Sequence, residues 1–144
     1  MKKQPIHIVW FKRDFRLVDN EALFHAHQSG VPLLLICFFE PSVMNYPDSD
    51  VRHWRFVYES IQDLNKKLQP FNAKIYFFHD EVKNVFSELI QKFEVESVFS
   101  HQEIGNKVTY DRDLEMKAFF DSNDIIWKEF QIHGVIRTLK SRQD

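Results

Sequence analysis

Lys12, Arg13, Asp14 and Arg16 crowd into one short turn of this sequence, inside VWFKRDFRLVDNEAL (residues 9–23), which passes from a strand pattern into a helix pattern without a glycine. Chains that hold a nucleotide at a first strand-to-helix turn use glycines there, so that backbone N–H groups reach the phosphate. A turn of guanidinium and ammonium groups does other chemistry: it forks onto carboxylates or phosphates and stacks on rings. Its acceptors stand elsewhere, at Glu40 in FFEP (38–41) and at Glu103, beside His101, Gln102 and Gly105, in SHQEIGNKVTYDRD (100–113). An arginine facing a glutamate among aromatic rings suits a planar, polar heterocycle, the carboxylate accepting from ring N–H or amino groups. The same residues also allow a plainer reading, in which Arg13, Asp14, Arg16 and Asp19 form an ion-pair lattice that only ties the loop down.

Other chemistries find less support. His25 and His27 are two apart, so on a helix they diverge and cannot chelate together. HExxH, Walker A and GxSxG patterns do not occur. Cys37 lies inside an apolar strand pattern and reads first as packing. His7, His53 and His79 stand alone and read as surface or capping residues. The residues do not add up to a self-sufficient catalytic site.

The elements that must position these side chains follow from alternating apolar and amphipathic runs, the pattern of repeated βα units on a parallel sheet. Strands are expected at 6–11, 32–39, 74–78, 97–100 and 125–131. The first helix is expected from a cap at Asp19 or Asn20 to about His27, with Gly30 ending it. A second runs from about Asp50 to Leu68, closed by Pro70. A third runs from Val82 to Phe93 and a fourth from Thr109 to Phe120. The fold class is α/β: a single, doubly wound, Rossmann-like domain with helices on both faces of about five parallel strands. Ligands of such sheets bind beyond the carboxyl ends of the strands, where strand order reverses. With the first strand central, the loops after strands one and four would flank that crevice, and they carry Arg13 and Glu103.

Length and composition agree with one domain: 144 residues, 44% hydrophobic and 28% charged. The formal net charge of −2 argues against a nucleic-acid binder acting alone. A lone cysteine, Cys37, leaves no internal disulfide and fits a reducing compartment. The opening MKKQPIHIVWF is too short in apolar residues for a signal peptide or a membrane span, so the expectation is a cytoplasmic protein without membrane contact.

These stretches together resemble the DNA photolyase/cryptochrome family. VWFKRDFRLVDNEAL is similar to its N-terminal signature, FFEP to its second-strand exit, SHQEIGNKVTYDRD to its fourth-strand loop and following helix, and EFQIHGVIRTLKSRQD to the way out of its first domain. Lys12-Arg13 and Phe15 depart mildly from the family pattern. The resemblance implies a light-harvesting α/β domain over 1–131, with 132–144 beginning the connector to an FAD-binding helical domain outside this chain. It also implies an antenna pigment (folate, deazaflavin or flavin) gripped by Arg13 and Glu103, with Glu40, Cys37 and His101 at the same cleft and Arg16, Asp19 and Asn20 as scaffold. The intact parent would use FAD and blue light to split pyrimidine dimers in damaged DNA, or would signal as a cryptochrome; the fragment itself would be monomeric. Two rivals are a pigment-free structural domain and a stand-alone nucleotide-binding module. The second of these needs a glycine-rich loop, whereas the only glycines are Gly30, Gly105 and Gly134.

Overall fold

The computed structural model describes residues 2–13, 15–47, 49–103 and 105–131; Asp14 of the first turn and the expected connector at 132–144 lie outside that set. The chain alternates strand and helix throughout: β1 (Gln4–Phe11), α1 (Glu21–Gln28), β2 (Leu33–Phe38), α2 (Pro41–Met44), α3 (Val51–Leu68), β3 (Ile75–Phe78), α4 (Val82–Lys92), β4 (Phe93–His101), α5 (Lys107–Ser122) and β5 (Ile126–Phe130), with a 3₁₀ turn at Gln69–Phe71. All five strands pair in parallel, in the order β3-β2-β1-β4-β5. β1 is therefore central, and strand order reverses between β1 and β4.

Side chains of β1 alternate between two buried faces. Ile6, Ile8 and Trp10 join Ile36, Phe38 and Val98 under α4 and α5. Val9 and Phe11 join Leu35, Cys37 and Phe99 under α1 and α3. Both faces being covered explains why the central strands read as continuous apolar runs. Val9 pairs with Leu35 on one side and Phe99 on the other, which brings the carboxyl ends of β1, β2 and β4 to one rim.

The first helix starts at a single device. Asn20 accepts from the Leu23 amide at 2.9 Å and donates to the Arg16 carbonyl at 3.0 Å, so one buried side chain caps α1 and holds the loop after β1. Gly30, with φ +75°, takes the left-handed conformation just past the helix. Asn20→Ala is expected to lower unfolding stability by about 1–2 kcal/mol, read from urea denaturation; an unchanged midpoint would show that the cap contributes nothing.

The start of the fourth strand is corrected. β4 starts at Phe93, directly after α4, rather than at 97: Phe93 continues the helical spacing of Leu89 and Ile90, but its backbone is extended (φ −127°, ψ 155°) and pairs with Gln4. The polar positions Glu94 and Glu96 disguised the first half of this strand. The four-residue α2 is too short to show a period; Pro41 at its first turn is the trace it leaves.

Candidate functional site

At the reversal point, beyond the ends of β1 and β4, lies a crevice of about 260 Å³. Aromatic rings from four segments form its walls: Trp10 and Phe11 from β1, Phe15 from the loop after it, Phe38 from β2 and Trp54 from α3. Trp54 is fixed by its indole N–H, which donates to Ser49 Oγ at 2.6 Å, and it meets the Phe39 ring edge-on at 5.8 Å. Trp10 stacks on Trp127 at 5.7 Å, with the Lys12 ammonium 4.3 Å from its ring centroid and the Arg112 guanidinium 5.1 Å away.

The polar end of the crevice is a linked set of charges. Arg112 on α5 donates to Glu40 Oε1 through Nη1, to Glu103 Oε1 through Nη2, and to Asp113 Oδ1 through Nε at 2.9 Å. Arg13 donates from Nε to Glu103 Oε2 at 3.0 Å, and Lys12 reaches both Asp113 oxygens at 3.2 Å. Three cations thus face three carboxylates. Arg112, Glu40, Glu103 and Lys12 are almost wholly buried, while half of the Arg13 side chain stays exposed at the mouth.

Burial works on each group and the neighbours decide the result. Glu40 is pushed up to about 7, chiefly by burial, since Arg112 only partly offsets the desolvation and Glu103 and Glu81 repel a second negative charge. Burial acts on Glu103 in the same direction, yet the Arg112 and Arg13 guanidiniums override it and hold this carboxyl below its usual range. Burial pulls the Lys12 ammonium down against Asp113. The difference between the two glutamates has a visible cause: both oxygens of Glu103 are taken by arginines, whereas Glu40 Oε2 is buried with no hydrogen-bond partner.

Arg13, Glu40 and Glu103 are therefore brought together, as the sequence spacing and the central first strand require. Cys37 and His101 do not line the crevice. Cys37 is packed in the core on the α1–α3 side of the sheet, and His101 is buried at the end of β4 with its ring 6.4 Å from Phe130. Arg16 and Asp19 flank a separate, wider groove beside Leu23, Phe24, Leu68 and Tyr76, on the α1 side; it lacks the convergent charges of the crevice. Arg112 is the residue that sequence reasoning missed. It falls between Thr109 and Met116 on the buried stripe of α5, and an arginine on such a stripe needs buried acceptors.

Gly105 sets the spacing of the rim. A Cβ there would stand 2.3 Å from Thr109 Oγ1 and 3.3 Å from Arg13 Nη2. Thr109 is buried and its hydroxyl donates to the Asn106 carbonyl at 3.0 Å, so it has little room to turn. Gly105→Ala is expected to cost about 1–3 kcal/mol of stability and to displace Arg13; thermal melting within 1 °C of the parent would contradict this.

Among the described residues no three His, Cys, Asp or Glu side chains are placed to hold a metal ion, and no helix is long and apolar enough to cross a membrane.

Comparison with known proteins adds findings of three kinds. The family model described as DNA photolyase matches residues 7–142. The Cryptochrome DASH, chloroplastic/mitochondrial, of Arabidopsis thaliana is 26% identical over 108 residues, which cover 71% of this chain and 19% of that protein. Cryptochrome-2 of Gallus gallus is 29% identical over 86 residues, 60% of this chain and 15% of that one. In fold, the chain is similar to a Sulfolobus tokodaii archaeal photolyase described with two FAD molecules and a novel light-harvesting cofactor (TM-score 0.77, 22% identity, 88% of this chain and 29% of that one). It is also similar to a Synechocystis cryptochrome (TM-score 0.80, 20% identity, 91% and 28%). The chain spans about a fifth of the length of the curated relatives it matches.

Proposed function

This chain belongs to the DNA photolyase family, and on that premise we propose that it is the N-terminal light-harvesting domain of a photolyase-like flavoprotein, with a planar pigment seated in the crevice between β1 and β4. The observation that carries the reading is the crevice itself: aromatic walls, a buried carboxyl oxygen with no partner, and a half-exposed arginine at the mouth. A folate, deazaflavin or flavin ring fits that donor set. Glu40 and Arg13 would hold its polar edges, Trp54 and Phe15 its faces. The pigment would supply absorption of near-ultraviolet or blue light. FAD and damaged DNA would be handled by the intact parent, either for dimer repair or, in a cryptochrome-type parent, for signalling.

A crevice of about 260 Å³ takes one fused ring system and leaves a longer tail outside, past Arg13. Arg13→Ala is accordingly expected to weaken pigment binding about tenfold. Its ion pair is half exposed, so stability should change by less than about 1 kcal/mol. The test is to titrate the purified chain with each pigment and follow absorption and melting temperature. A red-shifted, saturable spectrum with at least one of them supports the reading. No response to any favours the pigment-free domain, which the mutual pairing of Arg13, Glu103 and Arg112 also suits.

A further inference from the structure

Glu103, the carboxylate that the sequence places opposite Arg13, has both oxygens engaged: Oε1 is held by Arg112 and Oε2 by Arg13. Glu40 has one. Its Oε1 accepts from Arg112, which anchors the group to α5, while Oε2 of this crevice-lining residue is buried without a partner. A buried acceptor left empty costs free energy, and a ligand N–H that fills it recovers that cost at the moment of binding. The neighbouring cations are already matched by carboxylates, so the polar end favours an uncharged ring edge over a phosphate.

We propose, resting on the pigment reading above, that Glu40 reads the buried edge of the ligand by accepting a ring N–H at Oε2, and that filling the crevice is thereby tied to release of the Glu40 proton. Only the ionised carboxylate offers Oε2 freely as an acceptor. The titratable and charged groups around it come from every packed element: Arg112 and Asp113 on α5, Glu103 after β4, Lys12 and Arg13 after β1, Glu81 before α4, Asp50 at the start of α3 and His53 on it. Arg112 favours the ionised form, whereas burial, Glu103 and Glu81 oppose it, which places the change near neutrality, at about 7. The ionised fraction then rises about tenfold between pH 6 and pH 8, and the affinity for an N–H ring rises with it.

The experiment is a fluorescence titration of the 144-residue chain with two ring pairs that differ by one N–H: lumiflavin against 3-methyllumiflavin, and pterin against 3-methylpterin. Each is run from pH 6 to pH 8 on the parent and on Glu40→Gln. Expected are about tenfold tighter binding of the N–H ring at pH 8 than at pH 6, at least tenfold weaker binding of its methylated partner, and a flat pH response in Glu40→Gln. Equal affinity for the methylated and unmethylated rings would overturn the proposal on the parent protein alone, whatever the variant does. So would a pH slope that survives in Glu40→Gln, because it would belong to another group. Failure of all four rings to bind at any pH would overturn the pigment reading itself, and this inference with it.

Discussion

Arg112→Met should lower unfolding stability by about 3–5 kcal/mol at pH 7, the largest effect expected of a single polar residue in this domain. The substitution keeps much of the side chain's volume but leaves Glu40 and Glu103, both almost wholly buried, without the guanidinium that joins them. The sign of the pH dependence follows. Without Arg112, burial and repulsion from Glu103 push the folded-state Glu40 carboxyl still further above the ordinary 4.5 of the unfolded chain, and Glu103 loses the strongest of the charges that hold it down. Above pH 4.5 the native state then holds more protons than the unfolded state, so the variant gains stability as pH falls from 7 towards 5. Urea denaturation at pH 5, 6 and 7 should therefore show the gap from the parent narrowing with acid. A constant gap, or one below about 1 kcal/mol, would mean that Arg112 does not hold the two carboxylates as a unit. Arg112→Lys should recover less than half of the loss, because one ammonium cannot fork to carboxylates on two separate loops.

Glu103→Ala carries the second largest expectation, a loss of about 2–3 kcal/mol at pH 7. It is smaller because Arg112 keeps Glu40 and Asp113, and Arg13 can turn its exposed half into water. Here the pH dependence has the opposite sign. The folded Glu103 carboxyl lies below its ordinary value, so its contribution is present above about pH 4.5 and disappears as pH falls through its folded pKa. The parent should lose that increment in acid and Glu103→Ala should not, so their stabilities converge below pH 4. Ligand affinity should fall at least as far as in Arg13→Ala, since Glu103 is what aims Arg13 across the mouth. Denaturation curves that remain parallel down to pH 3 would remove Glu103 from the buried ion-pair set.

Glu40 and Glu103 show why part of the site could be read early and part could not. Each stands just past the end of a strand, and the alternation of strands and helices was enough to put both at one rim with Arg13. Which glutamate is saturated and which is open depends on where α5 delivers Arg112, nine residues beyond Glu103. A helix wheel shows that Arg112 shares a stripe with Thr109 and Met116, but not which loops that stripe will meet. Cys37 illustrates the converse. Its neighbourhood in sequence, one strand residue before Phe38, points to the crevice, yet strand alternation turns its side chain away from Phe38 into the core under α1 and α3, where it does not line the crevice.

By itself the sequence determined the layered α/β architecture and the family, because apolar periodicity and short motifs are local properties that survive without knowledge of distant contacts; the central place of β1, assumed from the fold class, came from the strand order. Even there, Phe93 fits a helix by spacing and became a strand because pairing with Gln4 outweighed that preference. Tertiary structure alone decided the chemistry of the crevice. The raised proton affinity of Glu40, the depression of Glu103 and the lowered proton affinity of Lys12 arise from burial and from charges that meet across 9 to 101 residues of chain (Glu103 to Arg112, Lys12 to Asp113). Coulomb energy and desolvation depend on distance and burial, and neither is written in the order of the residues.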